Sequence, residues 1–161
     1  MNEIKNNDTL ALLVKRGGIF YGVGGSTRRE IMANVIENIT VWNPEKREML
    51  LQAVMEREAI ISTGIENGIA LPHPRTPMLE DDEEPFVVIA FPQTPSQDWL
   101  TPDNSSVHAI FLIVSKSPKQ HLGVMSGISY LCQQEQFYKM LSMREKKEKI
   151  ITAIEKAESE W

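Results

Sequence analysis

Two runs in this chain, FVVIAF (86–91) and AIFLIV (109–114), are apolar at every position, whereas the stretches around them repeat apolar residues every three or four. A strand that is apolar on both alternating faces is one covered by helices on each side. A third, shorter strand is expected in GGIFYGVGG, between glycine turns. Next, Thr27 and Glu30 stand at capping-box spacing ahead of Ile31, Val35 and Ile39, which predicts a helix over about 27–39. Asn43 as N-cap and Pro44 at the first helical position open a second helix. In it Leu50/Val54 and Leu51/Met55 share faces, and its end is expected near Arg57. Gly64 and Gly68 break any continuation, leaving Ile69–Leu71 as a short extended segment running into Pro72. Ser117 and Pro118 repeat the cap signal, and two more helices are expected over about 134–143 and 145–158. The pattern predicts an α/β fold, a small mixed β-sheet flanked by helices on both faces, in a single domain over 9–161 after a loose tail at 1–8.

Composition narrows the function classes. With 161 residues and 42% hydrophobic content, the chain suits one domain with a real core. A net charge of −5 argues against nucleic acid or an anionic membrane as partner. No apolar run approaches the roughly 18 residues a membrane-spanning helix needs. The polar start MNEIKNNDT and a single cysteine, Cys132, make a cytoplasmic address the expectation, with Cys132 a small buried apolar residue. The acidic run EDDEEP at 80–85 reads as a solvated loop.

Three histidines carry the candidate chemistry. His108 opens the strand that ends near Ser115, about 23 Å from its far end, and so lies away from the carboxyl end where ligands of α/β sheets collect; a structural role is expected. His121 falls in the first turn of the helix capped by Ser117, where free N–H groups and the helix dipole favour an anion and disfavour imidazolium. It reads either as a neutral hydrogen-bond donor or as a solvent-facing residue. His73 sits between Pro72 and Pro74, its backbone held extended. Such stiffness suits a nucleophilic nitrogen, about three quarters of it neutral at pH 7, but it equally suits a rigid turn whose histidine is incidental. GVGGST lacks the lysine of a phosphate-binding loop, no GxGxxG follows a strand, and neither HxxxH nor CxxC is present, so no cofactor and no metal are expected.

The stretch MEREAIISTGIENGIALPHPR (55–75) resembles the phosphorylation-site segment of the enzyme IIA component of the bacterial phosphoenolpyruvate phosphotransferase system, fructose/mannitol class, closest to the nitrogen-regulatory IIA proteins. SPKQHLGVMSGISYLCQQEQFYKML (117–141) is similar to that family's second signature, and the resemblance extends over about 10–155. It implies that His73 accepts a phosphoryl group on Nε2 from phosphorylated HPr or its nitrogen-branch relative. It implies too that His121 lies beside that ring and that Arg57 approaches the phosphoryl oxygens. Two positions depart from the usual pattern: Glu66 stands where glycine is common, and Pro74, where glycine or alanine is common, removes a backbone donor beside the site. The nucleophile requires a proton-free Nε2, secured if Nδ1 donates to a carbonyl, and an apolar rim is expected around it. Downstream, the group passes to a IIB component, or the phosphorylation state selects a regulatory target protein; a fold that only binds partners is the remaining alternative. No IIB or membrane IIC segment is recognisable in the chain, and the nitrogen-type resemblance tilts the expectation slightly towards regulation.

Overall fold

The computed structural model describes residues 8–161, and the expected tail at 1–8 lies, for residues 1–7, outside them. In chain order the elements are α1 (Leu10–Gly17), β1 (Ile19–Val23), α2 (Arg28–Ile36), α3 (Pro44–Ile60), β2 (Ile69–Ala70), β3 (Phe86–Pro92), β4 (Ala109–Val114), α4 (Pro118–Gln133), α5 (Glu135–Ser142) and α6 (Lys147–Ser159). The sheet runs β1-β3-β4-β2. Its outer pairs are parallel and β3–β4 is antiparallel, so the sheet is mixed as the sequence predicts.

The two apolar runs divide their side chains between two cores. Val87, Ile89 and Phe91 of β3, with Ala109, Phe111 and Ile113 of β4, join α1, α4, α5 and α6 on one face. Phe86, Val88 and Ala90, with Ile110, Leu112 and Val114, join α2 and α3 on the other. Strict alternation across a sheet covered on both sides therefore explains why neither strand contains a polar residue. Cys132 is buried in the first of these cores, and burial pushes its thiol up to about 12.

Helix α1 is not marked by the sequence pattern. Eight residues barely exceed two turns, too short to be stable alone. Thr9 caps the helix through Leu12 N–H, and the Glu158 carboxylate of α6 accepts from Leu10 N at 2.6 Å and Ala11 N at 2.9 Å. A partner that far along the chain supplies what local sequence does not. At the other end Gly17 lies against β3: a Cβ there would sit 2.0 Å from the Val87 carbonyl oxygen. Gly17→Ala should therefore cost about 2 kcal/mol, mid-range for overpacking, seen as a lower urea midpoint; an unchanged midpoint would show that α1 shifts freely.

Boundaries elsewhere follow local chemistry. The α2 capping box of Thr27 and Glu30 forms, but the helix stops at Ile36, short of the expected Ile39. The Asn38 amide bonds back to the Asn34 and Val35 carbonyls, and Ile39 N bonds Ile36 O, tightening the end into turns that still bury Ile39. Asn43 and Pro44 open α3 as predicted, and it runs past Arg57 to Ile60. The acidic loop is mostly solvated, although Glu83 pairs with Lys46 and Glu84 with Arg16. No helix among the described residues is long and apolar enough to cross a membrane.

Candidate active site

Strands β2 and β4 run parallel, with Ile69 beside Ala109 and Ala70 beside Ile110, so both chains leave the sheet at the same end. Beyond β2 comes Pro72-His73-Pro74; beyond β4 comes α4 with His121. Ile113 N–H donates to Pro72 O at 3.0 Å, continuing the ladder into the proline segment. The carboxyl ends of the parallel pair thus bring the two histidines together, their ring centroids 4.3 Å apart and their planes 52° apart.

His73 Nδ1 lies 2.8 Å from the Leu71 carbonyl oxygen. A carbonyl only accepts, so in the neutral ring Nδ1 carries the proton and Nε2 keeps its lone pair. His73 is 7% exposed as a residue, more enclosed than an open apolar rim implies. Burial depresses its pKa below the ordinary imidazole value, opposed by the Leu71 bond; the Arg57 charge lowers it further and Glu58 raises it.

His121 is pushed down to about 4 by burial first, then by His73 and Arg57. The helix N-terminus favours the same direction, yet its amides are largely engaged. Pro118 has no N–H, Gln120 N donates to Ser117 Oγ at 3.1 Å, and His121 N to Ser117 O at 3.0 Å, leaving at most the Lys119 amide for an anion. Burial, with His73 and Arg57 beside it, favours the neutral state of His121. Because both imidazoles titrate lower in the folded chain than unfolded, the unfolded chain binds more protons as pH falls below about 6.5, and stability declines through that window. We expect the His121 ring signals to stay unprotonated from pH 8 to pH 5 by NMR; a midpoint above about 6 would contradict this packing.

Arg57, in the last turn of α3, donates from a terminal guanidinium nitrogen to Ile61 O at 2.8 Å, and its charge acts on both rings. Arg57, His73 and His121 therefore share one locality. A cavity of about 220 Å³ beside it is lined by Pro74, Pro77, Ile113, Pro118, His121 and Leu122. Leu122 on this cavity is exposed, as are Ile60 and Ile61 at the end of α3. His108 is elsewhere, just before β4, with Nε2 2.8 Å from the Asn67 carbonyl, a structural bond as expected. Glu66 is exposed and Pro74 buried, so the first departure leaves the site untouched while the second sits against it.

One residue here escaped the sequence reading. Glu58 has a fully buried side chain, engaged by Thr63 and 3.8 Å from Arg28. Its signal was available: Leu50, Val54 and Glu58 recur every fourth residue, which puts a carboxylate on the apolar face of α3.

Comparison with known proteins shows the family and the fold. The family model described as phosphoenolpyruvate-dependent sugar phosphotransferase system, EIIA 2, matches residues 13–157, and the chain belongs to that family. Among curated proteins, the PTS system fructose-specific EIIABC component of Bacillus subtilis is 31% identical over 111 residues, 67% of this chain and 17% of that protein. The component of the same name from Mycoplasma pneumoniae is 37% identical over 95 residues, 58% of this chain and 13% of that protein. The chain thus spans less than a fifth of either relative. The fold is that of nitrogen regulatory protein IIA-Ntr from Neisseria meningitidis, with TM-score 0.73, 17% identity and coverage of 89% of this chain and 97% of that one. It is also that of IIA mannitol from Escherichia coli, with TM-score 0.67, 19% identity and coverage of 86% and 96%.

Proposed function

We propose that this protein is a cytoplasmic phosphoryl carrier in which His73 Nε2 takes the group from a phosphorylated HPr-type protein and hands it to a IIB component. The observation that carries the reading is the pairing of a ring whose Nδ1 is tied to Leu71 O with a second, neutral ring at 4.3 Å. In the transfer, the Nε2 lone pair forms the new N–P bond while the donor's N–P bond breaks and its electron pair returns to the donor nitrogen. Negative charge spreads over the three equatorial oxygens of the group in flight, so positioned donors supply most of the catalysis. His121 donates as a neutral N–H, and the Arg57 guanidinium, with five N–H groups and, among the described residues, one bonded to Ile61 O, turns others to the oxygens. The His73 ring becomes positive as the N–P bond forms, and Leu71 O stabilises that charge through Nδ1–H.

For the acceptor, support comes from two sides. Both curated relatives are fructose-specific EIIABC components. The mannitol IIA of Escherichia coli, sharing the fold at TM-score 0.65 and 18% identity, is known in complex with phosphorylated IIB. Incubation with phosphoenolpyruvate, enzyme I and HPr should label the protein, and a fructose-type IIB added afterwards should drain the label onto itself. Label that stays on this chain while a non-transport protein binds only one phosphorylation state would make it a regulator instead.

A further inference from the structure

We infer that Glu58 is a positioning residue for the His73 nucleophile, acting through a chain of hydrogen bonds from α3 to the imidazole. This rests on the carrier reading above. The chain can be followed bond by bond. The Glu58 carboxylate accepts from Thr63 N–H, at 3.3 Å to each oxygen, and from the Thr63 hydroxyl. Thr63 O accepts from Leu71 N at 3.1 Å, and Leu71 O accepts from His73 Nδ1 at 2.8 Å. Each link fixes the next, and the last fixes both the tautomer and the direction of Nε2.

Burial makes this placement demanding. The Glu58 side chain has no exposure, and such a carboxylate persists only when its oxygens are met by donors. Thr63 offers two, and Arg28 at the start of α2 lies 3.8 Å away. Arg57 and Glu58, adjacent on the last turn of α3, grip the same exit: the guanidinium holds Ile61 O while the carboxylate holds Thr63. The segment leading to His73 is thereby pinned to a helix rather than left as a glycine-rich loop.

A negative charge at the root of the chain also suits the chemistry. His73 gains positive charge on accepting the phosphoryl group, and Glu58 favours a positive ring, in opposition to Arg57; His121 is the other titratable group facing it. The role parallels the carboxylate that orients a catalytic histidine in a hydrolase triad, here with a threonine and a backbone amide interposed.

The test is Glu58→Gln in the full chain. Glutamine keeps the shape and loses the charge, and it brings an NH2 where the Thr63 and Arg28 groups call for an acceptor. We expect uptake from phospho-HPr to slow about ten-fold in single turnover, with little change in the HPr concentration needed for half saturation. The acid limb of the pH–rate profile and the His73 titration seen by NMR should both move to lower pH. Thr63→Val, which removes the hydroxyl link alone, should slow transfer in the same sense, and it serves if the glutamine variant does not fold. Wild-type rates in the folded variants, with unchanged His73 titration and Nδ1 signal, would overturn the inference and leave the carrier reading standing. A wild-type protein that takes no label would overturn both.

Discussion

His73→Ala takes up no phosphoryl group from phospho-HPr under conditions in which the wild type is fully labelled. Neither of the other two histidines is placed to substitute. The His121 pKa is lowered first by burial and also by Arg57, causes that do not depend on the His73 charge, so it remains a weak base and a weak nucleophile. His108 lies at the opposite end of β4 with its Nε2 engaged by Asn67 O. The substitution leaves the Leu71 carbonyl without its donor, at a cost of about 1–3 kcal/mol, which a chain with two apolar cores survives. Circular dichroism should therefore show a folded protein of somewhat lower melting temperature, and intact-mass measurement should show no phosphorylated species. A phosphorylated His73→Ala protein would mean that the acceptor lies elsewhere.

Arg57→Ala lowers the transfer rate by about one to two orders of magnitude without abolishing it. Each charge-assisted hydrogen bond to the phosphoryl oxygens contributes about 1.5–3 kcal/mol, and a factor of ten corresponds to about 1.4 kcal/mol. The nucleophile and the His121 donor remain, so a slow reaction remains. A second effect separates charge from contact. Arg57 depresses both imidazoles, so its loss should raise the His73 and His121 titrations and move the acid limb of the rate profile to higher pH. Arg57→Lys should restore the titrations better than the rate, because an ammonium supplies charge without the planar fork. Rapid-quench labelling and NMR titration of the three proteins check this; equal single-turnover rates for alanine and wild type would remove Arg57 from the chemistry.

Much of this was legible in the sequence because the determining interactions are local. Thr27 with Glu30, Asn43 with Pro44, and Ser117 with Pro118 each announce a helix start through side chains that satisfy amides two or three residues on, and all three form. The strands β3 and β4 declare themselves by being apolar on both faces. Helix α1 was hidden because its stability comes from β3 and from Glu158, contacts that no window of sequence contains.

At the site, the parallel register of β2 and β4 delivers His73 and His121 to the same edge, and Arg57, on the last turn of α3, is near enough for its charge to act on both rings. What sequence could not supply was the second layer of the argument. The helix N-terminus gave the direction of the His121 shift, and the fold adds burial, His73 and Arg57, all lowering it, while Ser117 occupies much of that terminus. Glu58 was readable as a polar residue on an apolar stripe, but its link to His73 runs through backbone groups of Thr63 and Leu71, which only the fold brings into line.

The most direct measurement is nitrogen and phosphorus NMR on the phosphorylated protein with labelled histidines. Phosphorus coupled to Nε2 of His73, with Nδ1 still protonated and bonded, is the expected result. A phosphoryl group on Nδ1 of His73, or on another residue, would contradict the account.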